Sequence, residues 1–242
     1  MFPLVDSRPS VLVAFSGGKD STVMAHHMAA LGEDFALLFT PTGRELPEVS
    51  LHVEATARSL NRELIIPKGP SLNELITTFK RLPSHAQRWC TRMVKIEPCK
   101  AYLLTHPGST LCVGLRADEE ERQGMYGNYA KNRFPLREWG FGLKEVLAYQ
   151  AEHDLKVPTR TDCDLCYDQR LIDWRNLLRN HPEKWREGEA LEALYGATFR
   201  SPSRDTWPTG LRELRIAFES GRKIRGADDD DCEQTACRVC RL

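Results

Sequence analysis

An α/β fold with a doubly wound, mostly parallel sheet and a small helical, cysteine-bearing C-terminal extension is what this 242-residue sequence predicts. Three observations carry that expectation. Short apolar runs at residues 11–15, 35–40, 63–67 and 111–115 alternate with longer amphipathic stretches at 22–31, 46–60, 72–82 and 93–104, the pattern of a parallel sheet covered by helices on both faces. The first apolar run, Val11 to Phe15, is closed by a Gly pair and reopened by Ser-Thr, which reads as strand, tight turn and helix start. The length accommodates one α/β domain of about 150 residues plus a smaller appended unit.

The turn after the first strand is the most informative element. Residues Ser16 to Ser21 read Ser-Gly-Gly-Lys-Asp-Ser. First-turn N–H groups of a helix lack intrahelical partners, and the helix dipole adds partial positive charge there. Gly17 and Gly18 let the main chain approach an anion closely, and Lys19 adds a full charge. Together they form a phosphate cradle. Its spacing matches neither the Gly-x-x-x-x-Gly-Lys-Ser/Thr of common nucleotide triphosphatases nor the Gly-x-Gly-x-x-Gly of dinucleotide binders. Ligands of such sheets sit beyond the carboxyl ends of the strands, so the loops at Ser16, at 40–45 and at Arg116 should converge.

The remaining elements follow in order. Pro98 should interrupt the helix at 93–104. Residues 116–138 are polar, Gly- and Arg-containing and aperiodic, which predicts a mobile loop over the nucleotide. A helix is expected at 143–153. Leu171, Trp174, Leu177 and Leu178 recur at helical spacing until His181-Pro182 stops that helix and begins another. The chain thus divides into a nucleotide-binding domain at 1–158, a helical Cys-x-x-Cys extension at 159–225 and an Asp- and Cys-rich tail at 226–242.

Composition narrows the class. Acidic and basic residues balance at 34 each, so no global positive field announces nucleic-acid binding. No signal peptide is visible, and no run approaches the ~18 apolar residues of a membrane span. A cytoplasmic protein is expected, and there eight cysteines favour metal, cluster or redox chemistry over disulfides. Cys163 and Cys166 form one Cys-x-x-Cys pair, Cys237 and Cys240 another, with Cys232 and Cys90 apart from them. Three readings stand: an iron–sulfur cluster on Cys90, Cys163, Cys166 and one tail cysteine; a zinc ion on both pairs; a metal-free dithiol. Cys99 and Cys112 read as small buried hydrophobes. The 13 Lys and Arg against 11 Asp and Glu between 160 and 225 read as a solvated charged face, which leaves a nucleic-acid acceptor open.

The Ser16–Ser21 loop resembles the PP-loop, Ser-Gly-Gly-x-Asp-Ser, of the ATP pyrophosphatases (adenine nucleotide alpha-hydrolase-like, HUP/Rossmann-like proteins). The resemblance implies that ATP is cut between its α- and β-phosphates, leaving an adenylated substrate. It implies that Ser16, Gly17, Gly18 and Ser21 hold the pyrophosphate, that Lys19 neutralises the leaving group, and that Asp20 either orients the loop or helps bind magnesium. Four further motifs follow in order: Thr42-Gly43-Arg44-Glu45-Leu46-Pro47-Glu48; Arg88-Trp89-Cys90-Thr91 leading to Lys95-Ile96-Glu97-Pro98; Val113-Gly114-Leu115-Arg116; and Phe134-Pro135-Leu136-Arg137-Glu138-Trp139. Over roughly residues 10 to 190 these resemble the phosphoadenosine phosphosulfate (PAPS) reductase family. By that resemblance Arg116 and Lys95 contact phosphate or sulfate, and Thr42 and Gly43 line the nucleotide pocket. Cluster-bearing members of the family place cysteines where Cys90, Cys163 and Cys166 fall, and a C-terminal cysteine makes Cys237 the fourth ligand. Trp139 reads as a packing anchor.

Two departures point away from sulfate reduction. The phosphate loop is complete, and residues 231–240 lack the Glu-Cys-Gly-Leu/Ile-His of the reductases. The expected activity is an ATP-dependent, adenylating sulfur transfer (thiolation) using magnesium, with a 4Fe-4S cluster or zinc. A sulfur-donor protein and a homo-oligomeric state complete the expected partners. Reduction of PAPS or adenosine phosphosulfate, and an ATP-sensing regulatory or scaffold subunit, are the alternatives.

Overall fold

The computed structural model describes residues 10–119, 121 and 128–224. Five strands, β1 (Val11–Ala14), β2 (Ala36–Leu38), β3 (Leu64–Ile65), β4 (Thr110–Cys112) and β5 (Lys131–Arg133), form one parallel sheet in the order β3-β2-β1-β4-β5. The helices among the described residues are α1 (Lys19–Ala30), α2 (Pro47–Ser59), α3 (Leu72–Phe79), α4 (Glu97–Thr105), α5 (Pro135–Glu138), α6 (Leu143–Glu152), α7 (Leu171–Asn180), α8 (Pro182–Tyr195) and α9 (Leu211–Glu219). None is long and apolar enough to cross a membrane.

Strand alternation sorts the core onto two faces. Leu12, Ala36, Leu38, Ile65 and Leu111 meet Cys99 and Leu103 of α4 on one face. Val13, Leu37 and Cys112 point the other way, onto Val23, Met24 and Met28 of α1, Val49 and Val53 of α2, and the C-terminal helices. This follows from right-handed crossovers. The chain steps from β1 to β2 to β3 with α1 and α2 on one face. It then returns past β1 to β4, which puts α4 on the other. The reversal beside β1 is a topological switch point, where such sheets open a crevice.

Two expectations are corrected, and one helix lies beyond them. Pro98 does not break its helix. A π-helical turn at Thr91–Ile96 precedes it, and Pro98 sits in the first turn of α4. The wider turn absorbs the backbone bond that a proline cannot make. The stretch 116–138 is not one loop, because its described part holds β5 and α5. Among the described residues Lys131-Asn132-Arg133 pairs with β4 alone, and an edge strand of three polar residues carries no apolar alternation to announce it. Finally, α9 was not anticipated, although Leu211, Leu214 and Phe218 recur at helical spacing and the two leucines are fully buried.

The C-terminal helices share the apolar cluster of the sheet: Leu165, Trp174, Trp185 and Leu211 belong with Val13 and Met24. Trp174 and Trp185 meet edge-to-face with centroids 6.0 Å apart. A Cβ on Gly188 would lie 2.7 Å from both Leu165 and Leu211, so a glycine lets α8 approach both neighbours.

Glu192 of α8 accepts the backbone N–H of Leu211 at 2.6 Å and that of Phe199 at 2.9 Å, which caps α9 across the packing. Burial pushes its carboxyl from the ordinary 4.5 up to about 7, against the opposing pull of those N–H groups. The folded chain therefore holds the proton more tightly than the unfolded chain. The stability this confers is full below pH 4.5 and is lost as pH rises to about 7. The linkage amounts to roughly 3 kcal/mol. Denaturant midpoints should fall between pH 5 and pH 8, and Glu192→Gln should flatten that fall; a variant profile as steep as the parent's would contradict this assignment.

Candidate nucleotide and thiol site

Ser16–Ser21 folds as a turn that leaves the N-terminus of α1 open. Gly17 adopts φ +74°, a left-handed conformation that disfavours side chains, and a Cβ there would lie 3.0 Å from Val53. Gly18 is the N-cap, and no side chain caps α1. Ser16 and Ser21 brace the turn: their hydroxyls lie 3.2 Å apart, the Gly18 N–H donates to Ser16 Oγ at 3.3 Å, and Ser21 Oγ donates to the Gly18 carbonyl at 3.0 Å. A Cβ on Gly114, past β4, would sit 3.4 Å from the Ser21 nitrogen, so that loop is packed on the turn, as the topology predicts. His52 of α2 lies beneath, 3.1 Å from Thr22 Oγ1.

Arg116 enters this crevice almost fully buried and is held by carboxylates. Nη1 reaches Asp20 at 3.1 Å, Nε reaches Asp118 at 2.9 Å, and Nη2 lies 3.7 Å from Glu119. A phosphate that approaches this guanidinium meets a charge that three carboxylates already offset. Asp20 keeps its Oδ1 buried with no hydrogen-bond partner among the described residues. Burial holds its carboxyl above the usual range, although Lys19 and Arg116 oppose that shift. An orphaned carboxylate oxygen beside a phosphate cradle is a fitting ligand for a divalent cation.

The loop after β2 joins the nucleotide side to the cysteines. Glu45 Oε1 accepts from the N–H and the hydroxyl of Thr42, at 2.6 and 2.7 Å, and Oε2 accepts from the Gly43 N–H at 3.0 Å. The Cys163 thiol donates to Thr42 Oγ1 at 3.3 Å. A Cβ on Gly18 would meet Thr161 Oγ1 at 3.3 Å, so the segment leading to Cys163 also lies on the phosphate turn. Behind the thiol, the buried Arg44 makes a bidentate pair with the fully buried Asp164, the residue after Cys163. Neither Arg44 nor Asp164 was singled out from sequence, although each stands inside a motif that was.

Cys90, Cys163 and Cys166 share a neighbourhood: Cys163 acts electrostatically on Cys166, and Cys90 and Cys166 both act on the Tyr167 hydroxyl. Lys95 acts on both Cys90 and Cys163. Burial pushes the Cys163 thiol up to about 11, Cys166 well above its usual value, and Cys90 upward. Thiols so placed are protonated near neutral pH, which leaves a bare dithiol short of thiolate. Among the described residues, no three His, Cys, Asp or Glu side chains are grouped to hold a metal ion. Cys232, Cys237 and Cys240, and with them the fourth-ligand assignment, lie outside the described residues. Cys99 and Cys112 are buried on opposite faces of the sheet, and Trp139 stacks edge-on against His27 at 4.4 Å.

The fold and this loop define an α/β nucleotide-binding protein of the adenine nucleotide alpha-hydrolase-like (PP-loop) superfamily. Residues 10–159 match the phosphoadenosine phosphosulfate reductase domain, and the chain belongs to that family. Two uncharacterized proteins of Methanocaldococcus jannaschii are similar to it. One is 26% identical over 196 residues, covering 74% of this chain and 40% of that protein. The other is 28% identical over 235 residues, covering 88% of this chain and 56% of that protein. The chain thus spans about half the length of these curated relatives. Among solved structures, the PAPS reductase of Candida auris in its phosphate complex shares the fold at a TM-score of 0.52 and 17% identity, covering 64% of this chain and 77% of that one.

Proposed function

We propose that this protein is an ATP pyrophosphatase that adenylates an acceptor and supports sulfur transfer to it. The observation that supports this most is the placing of a thiol loop on the two loops expected to hold the nucleotide: Cys163 on Thr42 and Thr161 over Gly18. In the first step an acceptor oxygen attacks the α-phosphorus of ATP. The bond from that phosphorus to the bridging oxygen breaks, and pyrophosphate leaves. In the second, a sulfur nucleophile forms a bond to the acceptor carbon, the carbon–oxygen bond breaks, and AMP leaves. Gly17, Gly18 and the hydroxyls of Ser16 and Ser21 cradle the departing pyrophosphate, whose charge Lys19 and the α1 N-terminus neutralise. Thr42 and Gly43 line the nucleotide, Lys95 and Arg116 face its anionic groups, and Asp20 offers its unpartnered oxygen to magnesium. Bound there, magnesium would supply charge neutralisation on the phosphates.

The cysteines are the sulfur end of the site. Cys90, Cys163 and Cys166, with Cys237, would hold a 4Fe-4S cluster, or zinc in its place. The described thiols do not by themselves compose such a ligand set, and neither chemical step above is routed through it. The acceptor is a separate molecule, with a nucleic acid among the candidates, and a sulfur-donor protein would deliver the sulfur.

Incubating the protein with α-labelled ATP, magnesium and candidate acceptors, and resolving the products, tests the proposal. Acceptor-dependent AMP and pyrophosphate are expected. Release of ADP and phosphate alone would contradict it. The family match supports a second reading, reduction of PAPS or adenosine phosphosulfate. Sulfite produced with a dithiol reductant and no ATP would select that reading instead.

A further inference from the structure

We propose that Arg44 and Asp164 are positioning residues that set the thiol of Cys163 at the nucleotide site. What the thiol does there rests on the function proposed above; the placement itself rests on geometry. Arg44 is 4% exposed and Asp164 0%, and the guanidinium grips the carboxylate through Nε and Nη2, both at 2.8 Å. Two further charges from α8 close the arrangement: Glu187 lies 2.8 Å from Arg44 Nη1, and Lys184 lies 3.2 Å from Asp164 Oδ2. The chain Glu187–Arg44–Asp164–Lys184 alternates in sign and starts and ends on one helix. Asn73 of α3 adds a contact to Arg44 at 3.3 Å.

Such a pair is an inefficient stabiliser. Desolvating two charges offsets most of their attraction, and well-packed apolar residues would serve stability as well or better. What the pair does supply is register. Asp164 follows Cys163 directly inside the Cys-x-x-Cys, so gripping its carboxylate holds the backbone that carries that cysteine. The Asp164 N–H also donates to the Arg44 carbonyl at 2.9 Å, and Arg160 donates to the Cys163 carbonyl at 2.6 Å. With the loop pinned on both sides, the Cys163 thiol is directed onto Thr42 Oγ1. The nucleotide-side loop and the thiol loop therefore behave as one rigid unit, and the Arg44–Asp164 fork is the joint between them.

Native alkylation of the whole protein tests this, with per-cysteine mass mapping and no need for turnover. Cys99 of α4 and Cys112 of β4, both buried, serve as internal controls. In Asp164→Asn, which keeps the side-chain shape, the alkylation rate of Cys163 should rise at least tenfold while Cys99 and Cys112 keep the parental rate. Arg44→Lys keeps the charge but loses the fork, and should give a smaller rise at the same cysteine; it carries the test if Asp164→Asn does not fold. A parental rate at Cys163 in both variants would overturn the proposal. So would a parallel rise at all the described cysteines, which would mark general loosening. Because the readout needs no acceptor, failure to form AMP would remove the proposed function and leave this result standing.

Discussion

Lys19→Ala is expected to lower acceptor-dependent AMP formation by about 10²- to 10³-fold, the cost of removing one charge-stabilising group from a transition state. Lys19 opens α1 directly after the Gly pair and is half-buried. Among the described residues it enters no close ion pair, in contrast to Arg116, which carboxylates surround. Removing it deletes charge from the cradle and breaks no close ion pair among the described residues, so the melting temperature should stay within about 2 °C of the parent, as for surface changes of ±0.5 kcal/mol. Lys19→Arg should recover part of the activity, since the charge returns in a larger, planar form. Equal rates for parent and Lys19→Ala would show that the loop does not act on a leaving phosphate.

Trp174→Ala should have the largest effect on folding. Trp174 is fully buried, meets Trp185 edge-to-face, and shares its cluster with Leu165 of the thiol loop. Truncating a buried aromatic costs about 3–5 kcal/mol, a large share of the ~5–15 kcal/mol that holds a typical domain. Trp174→Phe should cost far less than the alanine change. The indole N–H has no hydrogen-bond partner among the described residues, and losing an unsatisfied donor offsets part of the lost volume. Chemical denaturation of both variants checks the pair. A phenylalanine variant as unstable as the alanine one would show that the indole N–H has a partner.

Much of the scaffold was legible in the sequence because local and global signals agree there. The run ending in Phe15 and the start of the run at 111–115 are apolar enough to read as strands, and Gly17-Gly18 marks a tight turn between strand and helix. The phosphate turn, the convergence of the loops after β1 and β4, and the stop at His181-Pro182 all followed from spacing. The misses were decided by tertiary pairing or by local backbone geometry that no residue pattern announces. Lys131-Asn132-Arg133 is a strand only because β4 offers it a ladder. Pro98 is tolerated because a π-helical turn precedes it. Arg44 and Asp164 lie 120 residues apart, and nothing local reveals that one grips the other. For Arg116 the resemblance implies a phosphate contact, and the fold adds what the motif does not show: Asp20, Asp118 and Glu119 stand around the guanidinium.

The central claim is that a complete phosphate turn makes ATP the nucleotide of this family member. Calorimetric titration of the parent and Lys19→Ala proteins with magnesium–ATP and with PAPS tests it without knowledge of the acceptor. Saturable binding of magnesium–ATP that weakens at least tenfold in Lys19→Ala, about 1.4 kcal/mol, with weaker binding of PAPS, is the predicted result. Tight binding of PAPS with no heat from ATP would contradict the account.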